Sequence, residues 1–208
     1  CVCATQRLSY SDSLGRTSVA GTLRCPSPLF CSRKSITYLA RNESKKMTSS
    51  PQFVHLNVHT EYSLSEGIAR IKDLAIEVHS AGMPAVAMTD INNLYAAVKF
   101  YRSCLNAGVK PLFGVELTLG AVTPVDPGGK IILLCLSNRG FKGVSELLTQ
   151  LYTQPREGRE LIASLNQIES VADDVIALTG FEGAIGALIR SGHVSESLQV
   201  AEKLIQVF

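Results

Sequence analysis

"AGMPAVAMTDINNLYAAVKFYRSCLNAGVKPLF", residues 81–113, opens and closes on near copies of one phrase: a glycine, a proline two or three residues later, then an apolar run. Gly82 and Gly108 stand where helices end, because glycine adopts the left-handed turn that closes a helix, and Pro84 and Pro111 cannot continue one. "PAVAMTD" then reads as a buried strand and "NLYAAVKFYRSCLNAG" as an amphipathic helix. The repeated unit is strand, then helix.

Reading outward, "GIARIKDLAIEVHSAG" predicts a helix with Ile68, Ile71, Leu74 and Val78 on one stripe, and "FVHLNVH", residues 53–59, predicts a first strand before it. Downstream, "LFGVELTL" gives a third strand and "KIILLCL" a fourth after the loop "TPVDPGG". "GVSELLTQLYTQ" is a helix, "DVIALTG" a later strand, and "EGAIGALIRSG" and "SESLQVAEKLIQVF" the last helices. Continuous apolar strands between amphipathic helices predict a parallel sheet covered on both sides, as a barrel or a doubly wound sheet. The polar residues favour the barrel, whose working groups gather at the carboxyl ends of strands. Asn57 and His59 end the first strand, Asp90 ends the second, and Glu116 lies on the third. Alternate strand positions share a face, so His55, Asn57 and His59 can point together and offer two imidazoles to one metal cluster.

The bulk properties limit the function classes. A chain of 208 residues, 46% hydrophobic and 18% charged, is one domain or a little more with a sizeable core. It contains no apolar run long enough to span a membrane. Residues 1–50 hold eight Lys/Arg against two Asp/Glu and the remainder twelve against sixteen, so the net charge of +2 divides into +6 and −4. A body of negative charge is poorly suited to gripping a phosphate backbone by itself. Cys1, Cys3, Cys25 and Cys31 fit no zinc spacing and lack a nearby histidine, while Cys104 and Cys135 read as buried thiols.

The first 50 residues also carry ten serines and no sustained period, which predicts a disordered leader. Its Arg- and Ser-rich, acid-poor composition has the look of an organelle transit peptide. The simpler reading makes Met47 the true start. Residues 51–208 form the folded domain.

Through "FVHLNVHTEYSLSEG", "GMPAVAMTDINNLYAAVKFY", "AGVKPLFGVEL" and "SNRGFKGVSELLTQ", the chain from Phe53 to Phe208 resembles the polymerase and histidinol phosphatase (PHP) domain found at the amino terminus of bacterial DNA polymerase III alpha subunits. The resemblance implies a distorted, seven-stranded β/α barrel, of which this chain supplies the earlier strands. It also implies where metal ligands stand in active members: Asn57 and His59 occupy the two histidines of the first strand, Glu66 an aspartate and Glu116 a glutamate. Ile91 occupies the histidine of a Thr-Asp-His motif, and a further histidine falls near Ile131.

Isoleucine has no lone pair and an amide oxygen is a weak substitute for imidazole, so the resemblance implies a degraded site. His59, Glu66 and Glu116 are its vestigial metal candidates, with no catalytic and no cofactor-binding residue assigned. Without metal, His59 and Glu116 would hydrogen-bond inside a polar barrel mouth, Asp90 would cap the following helix, and His79 and His193 would be surface groups at helix ends. A rival pattern, Gly180, Gly183 and Gly186 between a strand and a helix, is spaced G-x-x-G-x-x-G and does not match a dinucleotide-binding turn.

The expected role is therefore a non-catalytic scaffold within a cytoplasmic, bacterial replicative polymerase. It would contact the rest of the alpha subunit, the proofreading exonuclease subunit and the replisome, with DNA held through the parent protein. The alternative is an active zinc- or manganese-dependent phosphoesterase or 3′–5′ exonuclease. Templated synthesis, which uses magnesium held by a palm domain, is expected beyond Phe208.

Overall fold

The computed structural model describes residues 9–11, 17–19, 53–64, 66–154 and 161–208. Within residues 1–50 it describes two short strands, β1 (Ser9–Ser11) and β2 (Thr17–Val19), paired antiparallel. The expectations for the rest of the leader, including its four cysteines, lie outside the described residues. Residues 51–208 form a separate compact unit.

That unit begins with an extended segment, residues 53–60, beside β3 (Ala85–Met88). The expected first strand is only partly a ladder. His55 bridges Val86, and the Ala87 and Thr89 N–H groups donate to His55 and Val58 carbonyls at 2.9 and 3.0 Å. Val58 N–H, however, donates to the Thr89 hydroxyl instead of to a backbone carbonyl. Helix α1 (Ile71–Ser80) then buries Ile71, Ala75 and Val78. It starts later than the apolar stripe predicted: Ile68 is 96% exposed, because the backbone at Ala69 is still extended and bridges Thr60.

Helix α2 (Ala97–Ala107) ends on Gly108, which has a φ of +83°, and leads into β4 (Lys110–Leu119), parallel to β3 as the repeated phrase predicted. Beyond β4 the expectation of a parallel sheet fails. β5 (Gly129–Cys135) runs antiparallel to β4, and β7 (Val175–Thr179) antiparallel to β5. For β5 the reason is connection length, since the β4–β5 loop holds no helix, and a parallel return needs a crossover of a dozen or more residues. Helix α3 (Asn138–Thr153) follows, then the short β6 (Ile162–Ala163), parallel to the end of β4, and α4 (Leu165–Glu169). Helices α5 (Ala184–Arg190) and α6 (Val194–Val207) complete the chain. The main sheet has the order β3-β4-β5-β7.

Two apolar clusters sit on one face of this sheet. Ile71, Ala75, Phe100 and Cys104 of α1 and α2 pack on Val86 and Met88. Val144, Leu147, Leu188 and Val200 of the later helices pack with Val115, Leu117, Ile131 and Leu133. A small cluster of Ala87, Ile132 and Leu134 lies on the alternate positions and so on the opposite face. The helices therefore cover one side, as in the wall of a barrel, and not both. The α/β class of the sequence reading holds, and the uncovered face carries Glu116 and Lys130.

Candidate metal centre

Asp90 fixes the local backbone. It follows β3, is fully buried, and accepts hydrogen bonds from Thr60 N–H (2.6 Å), Thr60 Oγ1 (2.7 Å) and Ser63 Oγ (2.7 Å). Ser63 Oγ in turn accepts from Ile91 N–H at 3.1 Å. Asp90 is thus no helix cap: α2 has no side-chain cap, and the carboxylate reaches back thirty residues. Gly67 closes the same turn so tightly that a Cβ there would lie 1.8 Å from the Thr60 carbonyl oxygen. This turn places His59 on one side and Glu66 on the other.

Glu116 enters from β4. The strand pairs Glu116 with Ile132 of β5, so these two residues share a face, and Lys130 is the next residue of β5 on it. Ile131, at a proposed ligand position, points the other way, into the core with Val115 and Leu133. Ile91 stays beside the site through a backbone bridge to Glu116.

Potential ligand atoms of His59, Glu66 and Glu116 lie within 4.8 Å of one another. The structure therefore brings together all three retained residues. Asn57 also joins the cleft, donating from Nδ2 to Glu116 Oε2 (3.4 Å) while its Oδ1 accepts from the Thr89 hydroxyl (2.7 Å). His55 instead sets its ring edge-on to Phe53, with centroids 4.7 Å apart. The cleft has a volume of about 410 Å³, and is lined by Asn57, His59, Glu66, Glu116, Lys130, Ile132 and the 180–183 loop.

At its centre is a residue the sequence reading missed. Lys130 Nζ lies 3.0 Å from Glu66 Oε2, 3.2 Å from Glu116 Oε1 and 2.9 Å from Glu182 Oε2. Burial works against the ammonium charge, but its hydrogen bonds to Glu182 and Glu66 and the charge of Glu116 outweigh it, so the Lys130 pKa is raised. Lys130 correspondingly lowers the pKa of Glu182, first through their hydrogen bond and then by charge. His59 Nε2 is 3.3 Å from Glu116 Oε2. Neither His59 Nε2 nor Glu116 Oε1 has a partner in hydrogen-bonding geometry, so the Lys130–Glu116 contact is one of charge and the His59–Glu116 contact one of proximity.

Glu182 arrives on the glycine-rich loop. Gly183 is needed there because a Cβ would lie 2.9 Å from the Lys130 carbonyl oxygen, and the Lys130 N–H donates to the Glu182 carbonyl at 3.0 Å. The glycines thus serve close packing of this loop on β5. Arg190 steadies the loop by hydrogen bonding to the Phe181 carbonyl and stacking 4.0 Å from its ring centroid.

Comparison with known proteins bears on this geometry. The family model for the PHP domain matches residues 55–208. Over 157 residues the chain is 34% identical to DNA polymerase III subunit alpha of Pseudomonas aeruginosa and 36% identical to that of Pseudomonas fluorescens, covering 75% of this chain and 13% of each relative. It is 34% identical over 167 residues to an error-prone DNA polymerase of Symbiobacterium thermophilum, covering 73% of this chain and 15% of that one. The chain therefore spans about one seventh of these relatives' length.

Proposed function

The chain belongs to the PHP domain family, and from that premise we propose that it is the PHP portion of a bacterial replicative polymerase of the polymerase III alpha type. In this reading the domain is a non-catalytic scaffold, working in the cytoplasm, that braces the polymerase and docks its proofreading exonuclease subunit. The similarity to polymerase III alpha subunits over three quarters of the chain supports the replication role. One observation carries the non-catalytic part: the ammonium of Lys130 sits among Glu66, Glu116 and Glu182, where a metal would need those oxygens.

The donor set is also too small for the chemistry. Two-metal hydrolysis clamps the attacking and leaving oxygens between ions about 3.5–4 Å apart. Against this stand three candidate ligands, His59, Glu66 and Glu116. Two of them are ion-paired to Lys130, the Asn57 carbonyl oxygen is engaged by Thr89, and Ile132 faces the cleft with no lone pair. The residues do not fit a multinuclear centre. Among the described residues no helix is long and apolar enough to cross a membrane, in keeping with a role away from the bilayer.

The convergence of those three ligand atoms favours a second reading, an active metal-dependent phosphoesterase or 3′–5′ exonuclease. Assays of p-nitrophenyl phosphate hydrolysis and of 3′-end trimming, with manganese or zinc supplied, separate the two. The scaffold predicts rates no higher than those of His59→Ala. Activity in the native chain that His59→Ala abolishes would restore the enzyme. For docking, co-elution with a purified proofreading exonuclease subunit in size-exclusion chromatography is expected, and separate elution would remove that part of the reading.

A further inference from the structure

Resting on the scaffold reading, we propose that Lys130 is a built-in substitute for a metal ion: its charge ties three chain segments together at the cleft, and deleting that charge exposes a divalent-cation site made by His59, Glu66 and Glu116. The three carboxylates belong to parts of the chain far apart in sequence. Glu66 is on the turn after residue 60, Glu116 on β4, and Glu182 on the loop between β7 and α5. All three reach the one ammonium at 2.9–3.2 Å.

Two features mark the position as one for a cation in general and not for lysine alone. Glu116 has a side chain only 5% exposed, so its charge is cut off from water and needs a positive partner in place. Its Oε1 meets Lys130 Nζ without hydrogen-bonding geometry, a contact governed by charge that a spherical ion would make equally well. The buried His59 Nε2, also without a hydrogen-bond partner, lies on the far side of the same carboxylate. One imidazole and several carboxylate oxygens form a donor set suited to zinc or manganese. Lys130 reaches the position from β5, whose backbone is bonded to the Glu182 carbonyl, so the loop and the ammonium are held as one unit.

The test uses the full chain as wild type, Lys130→Met and Lys130→Met/Glu116→Gln, melted with and without zinc or manganese chloride. Methionine keeps the apolar stem and removes the ammonium with its charge and its N–H donors. Lys130→Met is expected to melt below wild type in metal-free buffer. Either metal should raise its midpoint by about 3 °C or more, while wild type and the double variant move by about 1 °C or less. If Lys130→Met does not fold without metal, refolding in the presence of zinc or manganese supports the proposal and failure to refold overturns it. A Lys130→Met protein blind to both metals overturns the proposal, and if wild type is blind too the scaffold reading survives. Wild type stabilised by metal as much as the variant would overturn both.

Discussion

Asp90, fully buried, ties the end of β3 to the turn at Thr60 and Ser63 through three hydrogen bonds. Asp90 lies in the turn-rich "TDINN", where a local helix cap is the natural expectation, yet its oxygens serve Thr60 and Ser63. Only tertiary structure brings those donors near. Losing a helix cap costs about 1 kcal/mol, whereas stranding several buried donors costs about 1–3 kcal/mol each. Asp90→Ala is therefore predicted to lower stability in urea unfolding by about 3 kcal/mol or more. A loss near 1 kcal/mol would return Asp90 to the capping role. Lys130 and Glu182 were hidden for the same reason. A lysine at the start of an apolar strand reads as a solvated end, and a glutamate among glycines reads as a turn; the two meet only when the chain brings positions 130 and 182 together.

At the scale of elements, the repeat of glycine and proline correctly placed β3, α2 and β4, because both ends of that unit are set by local backbone chemistry. The direction of β5 was not recognised, although the helix-free loop "TPVDPGG" already allowed a hairpin. The start of α1 was also misplaced. Ile68 keeps the helical spacing but is exposed, while Ile71 is fully buried. Ile71→Ala is predicted to cost about 2–5 kcal/mol by leaving a cavity. Ile68→Ser should change unfolding free energy by about 0.5 kcal/mol or less. Equal losses at the two positions would extend the packed stripe one turn earlier.

For the whole molecule, charge and pH give the broadest expectations. Residues 51–208, with net charge −4, should not shift labelled duplex DNA at sub-micromolar concentration near about 150 mM salt. A clear shift there would give the domain a DNA contact of its own. Glu61, Asp174 and Glu182 all have pKa values held below the ordinary 4.5, 3.8 and 4.5 by hydrogen bonds to Lys99, Arg139 and Lys130 respectively. A lowered carboxylate contributes stability that is complete above its unfolded pKa and lost as pH falls through the folded one. The urea midpoint should thus hold steady down to about pH 5 and fall below about pH 4.

The alkaline limit has the opposite sign. Burial pushes the Cys135 thiol from 9.0 up to about 11 and Cys104 to about 12, and Lys130 is raised above 10.5. Stability linked to these groups is complete below their unfolded values and lost as pH rises through the folded ones. Decline should therefore begin above about pH 9. A midpoint already falling between pH 6 and 8 would contradict both limits.

Titration of the full chain with zinc and manganese, followed by metal analysis after dialysis, reads directly whether a lysine stands where the PHP fold would hold metal. The wild-type protein is expected to retain no stoichiometric ion, because Lys130 already occupies the position between the carboxylates. One or more ions bound per chain, and lost in His59→Ala, would contradict it.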